Sequence, residues 1–259
     1  MRKILFGIVT VAVAGAFGHF AGISNASAAD LPMMTKAPVL APSYDWSGFY
    51  AGGQVGGGWF KNQTTIVDGN AAFPAGLILN PITGSGVLGG GFAGFNYQAN
   101  QMLIGIDGDY SWADLNGSGS TVGPTGFTSS VNEKVSWLAT VTARVGYTAN
   151  NFLYYGKFGG AWAGFSSNGV TTNPAGIAVT NTASSDTHNG FTVGAGVEWG
   201  LASNWSAKLE YDYVNFGTTN FNLALTSVAT GVVTSAARSS ISDLHMVKVG
   251  FSYHFNPRI

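Results

Sequence analysis

Eight segments of this 259-residue chain alternate apolar and polar residues with a period of two. That period places successive side chains on opposite faces of a β-strand. The segments are residues 46–60, 86–98, 102–112, 135–148, 152–165, 190–201, 205–216 and 244–255. Short breaks that contain asparagine alternate with four long polar stretches, residues 61–85, 113–134, 166–189 and 217–243. Since asparagine favours tight turns, this order predicts an antiparallel meander with short turns at one end and long connections at the other.

The low charge content of the chain determines where such a meander can exist. Only 9% of the residues are charged, against about 25% in an ordinary soluble domain. Beyond the N-terminus no apolar run reaches the ~20 residues that a membrane helix needs. A closed barrel is then the remaining way to span a membrane. We therefore predict an all-β fold, an eight-stranded antiparallel transmembrane β-barrel with short periplasmic turns and four long extracellular loops.

The N-terminus has the pattern of a secretory signal peptide. Arg2 and Lys3 precede an apolar stretch, and the small residues that follow favour cleavage after Ala28, with Ala29 as the alternative. An uncleaved membrane anchor is a second interpretation, which the short apolar stretch disfavours. We predict a signal peptide over residues 1–28, an extended periplasmic segment over 29–45, the barrel over 46–255 and a tail over 256–259. The predicted location is the outer membrane of a Gram-negative cell.

Seven tryptophans lie near the ends of the predicted strands. Rings that are apolar with one polar atom favour the two boundaries between lipid and water. We predict a periplasmic girdle of Trp46, Trp199 and Trp205 and an outer girdle of Trp59, Trp112, Trp137 and Trp162. All of them except Trp46 fall on the apolar face by alternation. Ordinary core tryptophans would be scattered in depth.

Five acidic and four basic residues fall on the opposite face of the strands. They are Asp107, Asp109, Arg144, Lys157, Glu198, Lys208, Glu210, Asp212 and Lys248. Side chains fill the interior of an eight-stranded barrel, and buried charges must be paired. We predict a network of ion pairs along the lumen. The glycines at positions 52, 56 and 58 face the same way and are predicted to leave room for these long side chains.

Candidate catalytic and metal-binding groups are sparse. His245 has Ser242 and Asp243 close in sequence, but a working triad needs groups that converge in space. His188 and Asp186 could ligate a metal, although two ligands in one polar stretch make weak support for a site. We predict no enzymatic activity, no cofactor and no metal. The chain has no basic patch, so nucleic acid is excluded as an expected partner.

Several stretches resemble one family. They include "DWSGFYAGGQVGGGW", "WLATVTARVGYT", "LYYGKFGGAWA" and "HMVKVGFSYHF". The chain resembles the small outer-membrane β-barrel proteins of alphaproteobacteria, the outer-membrane immunogenic and porin-like proteins of brucellae and rhizobia. The resemblance implies a surface-exposed barrel that stabilises the envelope, and some relatives are described as haem-binding. Four residues follow Phe255, whereas such chains usually end on the terminal aromatic.

Three functions are compatible with these observations. The first is an envelope-structural and surface-antigen role for a barrel with a lumen filled by side chains. The alternatives are a small-solute porin, and a binder of haem or a host ligand through the loops, where His188 is the candidate haem ligand. Expected partners are outer-membrane lipid and lipopolysaccharide, the barrel-assembly machinery during biogenesis, and an extracellular ligand at the loops.

Overall fold

The computed structural model describes residues 44–67, 74–202, 204–227 and 231–255. The predicted signal peptide, nearly all of the predicted periplasmic segment and the C-terminal tail lie outside the described residues. No helix in the described part of the chain is long and apolar enough to cross a membrane.

Nine antiparallel strands form one sheet that closes on itself. They are β1 (Gly48–Ile66), β2 (Ile78–Ala99), β3 (Met102–Val122), β4 (Thr128–Ala149), β5 (Phe152–Thr172), β6 (Ala178–Ala202), β7 (Trp205–Asn215), β8 (Thr218–Ser227) and β9 (Gly231–Phe255). Neighbouring strands pair in the order β1-β2-β3-β4-β5-β6-β7-β9-β8, and β1 also pairs with β9. β8 follows β7 after Gly217 and pairs with the first half of β9. The ring therefore has eight strand positions, and the predicted eight-stranded antiparallel barrel is confirmed.

Tight turns join the strands at one end of the ring, called here the turn end. β2 and β3, β4 and β5, and β6 and β7 are each connected there by two residues. Asn100 and Asn150 have φ angles of 56° and 54°. Asparagine tolerates this left-handed backbone better than most residues. The asparagines at the predicted breaks thus stand where the turn geometry needs them.

The connections at the other end, called the hairpin end, are long, as predicted, but they are largely β-structure instead of irregular loop. β3 and β4 continue to a five-residue connection, residues 123–127, and β5 and β6 continue to residues 173–177. These extensions are rich in Ser, Thr and Val, of which Thr and Val favour strands. Where a hairpin has water on both faces, no alternation of apolar and polar residues is required, so the sequence pattern did not extend that far.

Within the ring, exposure alternates along each strand. On β1, Gln54 is 4% exposed and its neighbour Val55 is 66% exposed. Two of the predicted lumenal glycines stand beside large inward side chains. A Cβ added to either glycine would collide first with the backbone of β9, at Val247 O for Gly56 and at Phe251 O for Gly52. It would also lie 3.1 Å from Lys248 Cγ at Gly56 and 2.6 Å from Phe92 Cζ at Gly52. The glycine-rich first strand therefore leaves space inside a narrow barrel.

Candidate functional site: the layered lumen

The nine predicted lumenal charges all lie inside the ring. They come from β3, β4, β5, β6, β7 and β9, and each is at most 5% exposed. Their strands present them inward because they occupy alternate positions in register with one another. Charges this inaccessible to water need close partners, since an unpaired buried charge is very costly.

Two lysines form the centre of this charged layer. Lys157 Nζ lies 2.8 Å from Glu210 Oε1, 3.3 Å from Asp212 Oδ1 and 3.6 Å from Asp109 Oδ2. Lys248 Nζ lies 2.7 Å from Asp212 Oδ2, 2.9 Å from Glu210 Oε1 and 3.4 Å from Asp109 Oδ2. The two cations share the same three carboxylates, so β3, β5, β7 and β9 are tied together across the lumen.

Arg144 extends the layer toward the turn end. Its Nη2 donates to Glu198 Oε2 at 3.0 Å, and its Nη1 donates to the Tyr50 hydroxyl at 2.8 Å. Tyr50 in turn donates to Asp107 Oδ2 at 2.7 Å. The guanidinium also lies 3.9 Å from the centre of the Tyr155 ring, a cation–π contact. Tyrosine hydroxyls thus connect the arginine pair to the lysine cluster.

Lys208 completes the charged layer. Its Nζ lies 3.7 Å from Glu210 Oε2 and 3.4 Å from the centre of the Phe92 ring. All nine charges are thereby in contact with an opposite charge, directly or through a tyrosine. The sequence did not indicate the part played by Tyr50, Phe92 and Tyr155. These residues occupy the alternate positions that carry the lumenal charges on neighbouring strands, and that pattern could have placed them inside the barrel.

An apolar layer fills the lumen on the hairpin side of the charges. Its buried members are Phe60, Ile82, Leu88, Leu115, Val135, Leu138, Ala161, Ala163, Phe165, Val214, Phe216, Leu244 and Met246. Phe165 and Phe216 meet edge to face, with ring centres 5.4 Å apart. We call this set the hairpin-side apolar layer.

A second hydrophobic cluster fills the lumen at the turn end. It consists of Tyr44, Trp46, Leu103, Leu153 and Tyr155, and we call it the turn-end plug. Trp46 has no exposed surface, so its predicted place in the periplasmic girdle is wrong. It precedes β1, and its ring lies inside the ring of strands, 4.4 Å from Tyr44. Burial of an indole next to other rings is more favourable than exposure of the lumen mouth to water.

The layers repeat along individual strands. On β3 the buried inward side chains run from Leu115 through Asp109 and Asp107 to Leu103. On β5 they run from Phe165 through Lys157 to Leu153. These two strands therefore carry apolar, charged and again apolar residues along the axis of the barrel.

The other six predicted girdle tryptophans lie on the outer wall. Trp112 is 67% exposed, and Trp59, Trp162, Trp199 and Trp205 are between 41% and 52% exposed. Trp137 is half-buried and stacks on Tyr110 with ring centres 6.1 Å apart. The alternation of residues along the strands thus distinguished the six outward tryptophans from Trp46, which lies in the lumen.

The three described histidines lie in different environments. His254 Nε2 lies 3.2 Å from Glu198 Oε1 and 3.1 Å from Ser206 Oγ, inside the barrel. A serine hydrolase holds its serine and its acid on different nitrogens of the histidine; here both approach Nε2, as in a structural hydrogen-bond cluster. His188 packs edge-on against Phe165, and burial lowers the pKa of His188. Among the described residues, no three His, Cys, Asp or Glu side chains are grouped as a metal would require.

One acid on the hairpin side of Val135, Glu133, is half-buried. Glu133 Oε1 accepts a 2.6 Å hydrogen bond from Asn62 Nδ2. Burial raises the pKa of Glu133 above its ordinary value. Nearby, Lys134 and Asp114 form an exposed ion pair of 2.7 Å, which contributes little to stability.

Comparison with known proteins points in one direction. A family model described as an outer membrane protein beta-barrel domain matches residues 22–255. The 31 kDa outer-membrane immunogenic protein of Brucella melitensis is 33% identical over 239 residues, which cover 90% of this chain and 94% of that protein. A 22 kDa outer membrane protein of Rhizobium leguminosarum is 29% identical over 220 residues, which cover 85% of this chain and 82% of that protein. The crystal structure of the outer membrane protein OprG from Pseudomonas aeruginosa superposes with a TM-score of 0.48. The alignment covers 80% of this chain and 97% of OprG, with 12% sequence identity.

Proposed function

The chain belongs to the outer-membrane β-barrel protein family, and on that premise we propose that it is a closed, envelope-structural barrel that displays its hairpins as surface antigens. The family and the outer-membrane location predicted from the sequence are both confirmed. The proposed role is that of a rigid protein that occupies the membrane, with no enzymatic activity and no solute path of its own.

The single observation that carries this proposal is the order of layers in the lumen. Ion-paired charges alone could hold water, and a hydrated charged lumen suits a small pore. Here the charged layer lies between the hairpin-side apolar layer and the turn-end plug. Apolar constrictions exclude water and thereby block ions. Two such layers in series favour a structural barrel over the porin alternative.

The antigen part of the proposal follows from the hairpins. We propose that the hairpin end faces the exterior and the turn end faces the periplasm, as is general for such barrels. The connections at residues 123–127 and 173–177 contain exposed Pro124, Thr125, Pro174 and Ala175. These exposed tips lie well beyond the predicted outer-girdle tryptophans of the same strands, where antibodies or a host ligand would reach them. The immunogenic relatives in Brucella support this interpretation.

Single-channel recording in planar bilayers tests the closed lumen. The folded protein should give no discrete conductance steps under conditions in which a general porin opens channels. Folding of the same sample is checked by heat modifiability, the change in gel mobility on boiling. Regular conductance steps from folded protein would replace the structural proposal with the porin alternative.

A further inference from the structure

An aromatic cluster lies on the outer wall where β1, β9 and β7 meet. The His245 ring stacks on Trp59, with ring centres 5.4 Å apart and planes 12° apart. The Tyr211 hydroxyl and His245 Nδ1 are 2.7 Å apart, and the Tyr213 ring centre is 5.3 Å from that of His245. The Tyr213 hydroxyl donates to Asp243. Trp59 belongs to the girdle at the hairpin end, so this cluster lies at one boundary of the membrane.

A groove of about 800 Å³ begins at the same place and descends along the wall. Tyr211 and Val247 line its upper part. Its floor is made by small outward residues, Gly156 and Ala195, which pair with each other in the ladder between β5 and β6. Large side chains border the floor, namely Tyr147, Tyr154, Val197 and Leu209. Because Tyr211 both lines the groove and bonds His245, the groove and the cluster are continuous.

The cluster carries charged and hydrogen-bonding groups that contact with lipid tails alone does not require. A carboxylate, Asp243, and a cation, Lys61, stand opposite each other in the ladder between β1 and β9, next to the stacked rings. Trp59 and Tyr211 are 43% and 42% exposed. The apolar face of a sugar ring packs on such aromatic rings, and its hydroxyls donate to a carboxylate. A lysine ammonium attracts a phosphate as a point charge.

We propose that this face of the barrel holds one glycolipid of the outer leaflet, with its phosphorylated amino-sugar headgroup on the aromatic cluster and an acyl chain in the groove. The proposal rests on the proposed orientation, in which the hairpin end faces outward. It is independent of whether the lumen conducts, so the two proposals fail separately.

Titration of the folded full-length protein in detergent with lipid A, a phosphorylated and acylated glucosamine disaccharide, tests the site. Bound lipid is counted by native mass spectrometry, with phosphatidylglycerol as the anionic lipid that lacks a sugar. Trp59→Leu removes a stacking ring, and Gly156→Leu fills the groove. A Cβ at Gly156 meets nothing closer than 3.8 Å, so this variant should fold. Each is expected to weaken lipid A binding about tenfold, the effect of losing one anchoring group.

Two variants on another part of the wall are matched controls. Trp112→Leu removes a girdle tryptophan, and Gly108→Leu adds the same side chain where a Cβ also meets nothing closer than 3.8 Å. Both should bind lipid A as the unmodified protein does. Equal losses in the controls, unchanged binding in both site variants, or equal affinity for phosphatidylglycerol would overturn the proposal. Heat modifiability of every variant confirms that folded protein is compared.

Discussion

Arg144 illustrates how single residues make a charged lumen possible. It is 3% exposed and keeps its charge under all ordinary conditions. Glu198 balances that charge, while the hydroxyl of Tyr50 accepts one of its hydrogen bonds. The alternation of the sequence was enough to place the arginine inside the barrel. It could not identify Glu198 as its partner, because which acid it meets depends on the stagger of strands that are far apart in sequence.

Substitution of Arg144 should destabilise the barrel much more than an outward change. Arg144→Ala leaves the Glu198 carboxylate with less compensation, and loss of one partner from a buried pair typically costs about 3–5 kcal/mol. Val141→Ala, on the same strand but 60% exposed on the outer wall, should cost far less since lipid fills the space. The urea midpoint of unfolding in lipid vesicles measures both. Equal midpoints would mean that water already solvates Arg144.

For Trp46, the alternation of residues along the strand indicated the orientation of the side chain correctly, whereas its position near the end of the strand did not. Its even position placed it on the lumenal side with Tyr50, while its depth alone suggested the girdle. The structure follows the parity: Trp46 packs against Tyr44 and lies 5.5 Å from the His254 ring. Proximity to a membrane boundary therefore does not determine whether a tryptophan faces lipid.

At the scale of elements, the half of each strand near the turn end was predicted from the sequence, and the half near the hairpin end was not. β3 was predicted to end at residue 112 but continues to Val122. The tips of the hairpins have a common turn chemistry: Gly126 and Gly176 have φ angles of 80° and 79°, and each follows a Pro-x pair. Glycine is favoured there because the backbone is left-handed. These turns were not predicted from the sequence, because the strands that lead to them have water on both faces and lack the period-two signal.

Single cysteines should report which end of these elements faces outward. The natural chain has no cysteine, so each variant carries one thiol. Thr125→Cys and Ala175→Cys, at exposed hairpin tips, should react with a membrane-impermeant maleimide on intact cells. Asn151→Cys, at an exposed turn, should react only after the outer membrane is broken. Labelling of Asn151→Cys alone on intact cells would reverse the proposed orientation.

At the scale of the whole molecule, closure of the sheet and filling of the lumen depend on each other. A ring of eight strands has just enough interior for side chains. The glycines of β1 give space to Lys248 and Phe92, and the charged layer then links strands on opposite sides of the ring. Composition and alternation predicted the ring and its charges. The separation into layers was missed because it depends on depth, which is visible only when inward residues of all strands are aligned.

Opening of the lumen should therefore require that both apolar layers are weakened. Arg144→Ala alone would open a lumen closed only by charges, but apolar layers lie on both sides of Arg144. Tyr44→Ala with Trp46→Ala removes two of the three rings of the turn-end plug, and Phe60→Ala with Leu115→Ala thins the hairpin-side apolar layer. Each pair by itself should leave the barrel closed, since the other layer still excludes water. The four substitutions together should produce conductance steps in planar bilayers, whereas conduction by either pair alone would show that a single layer holds the seal.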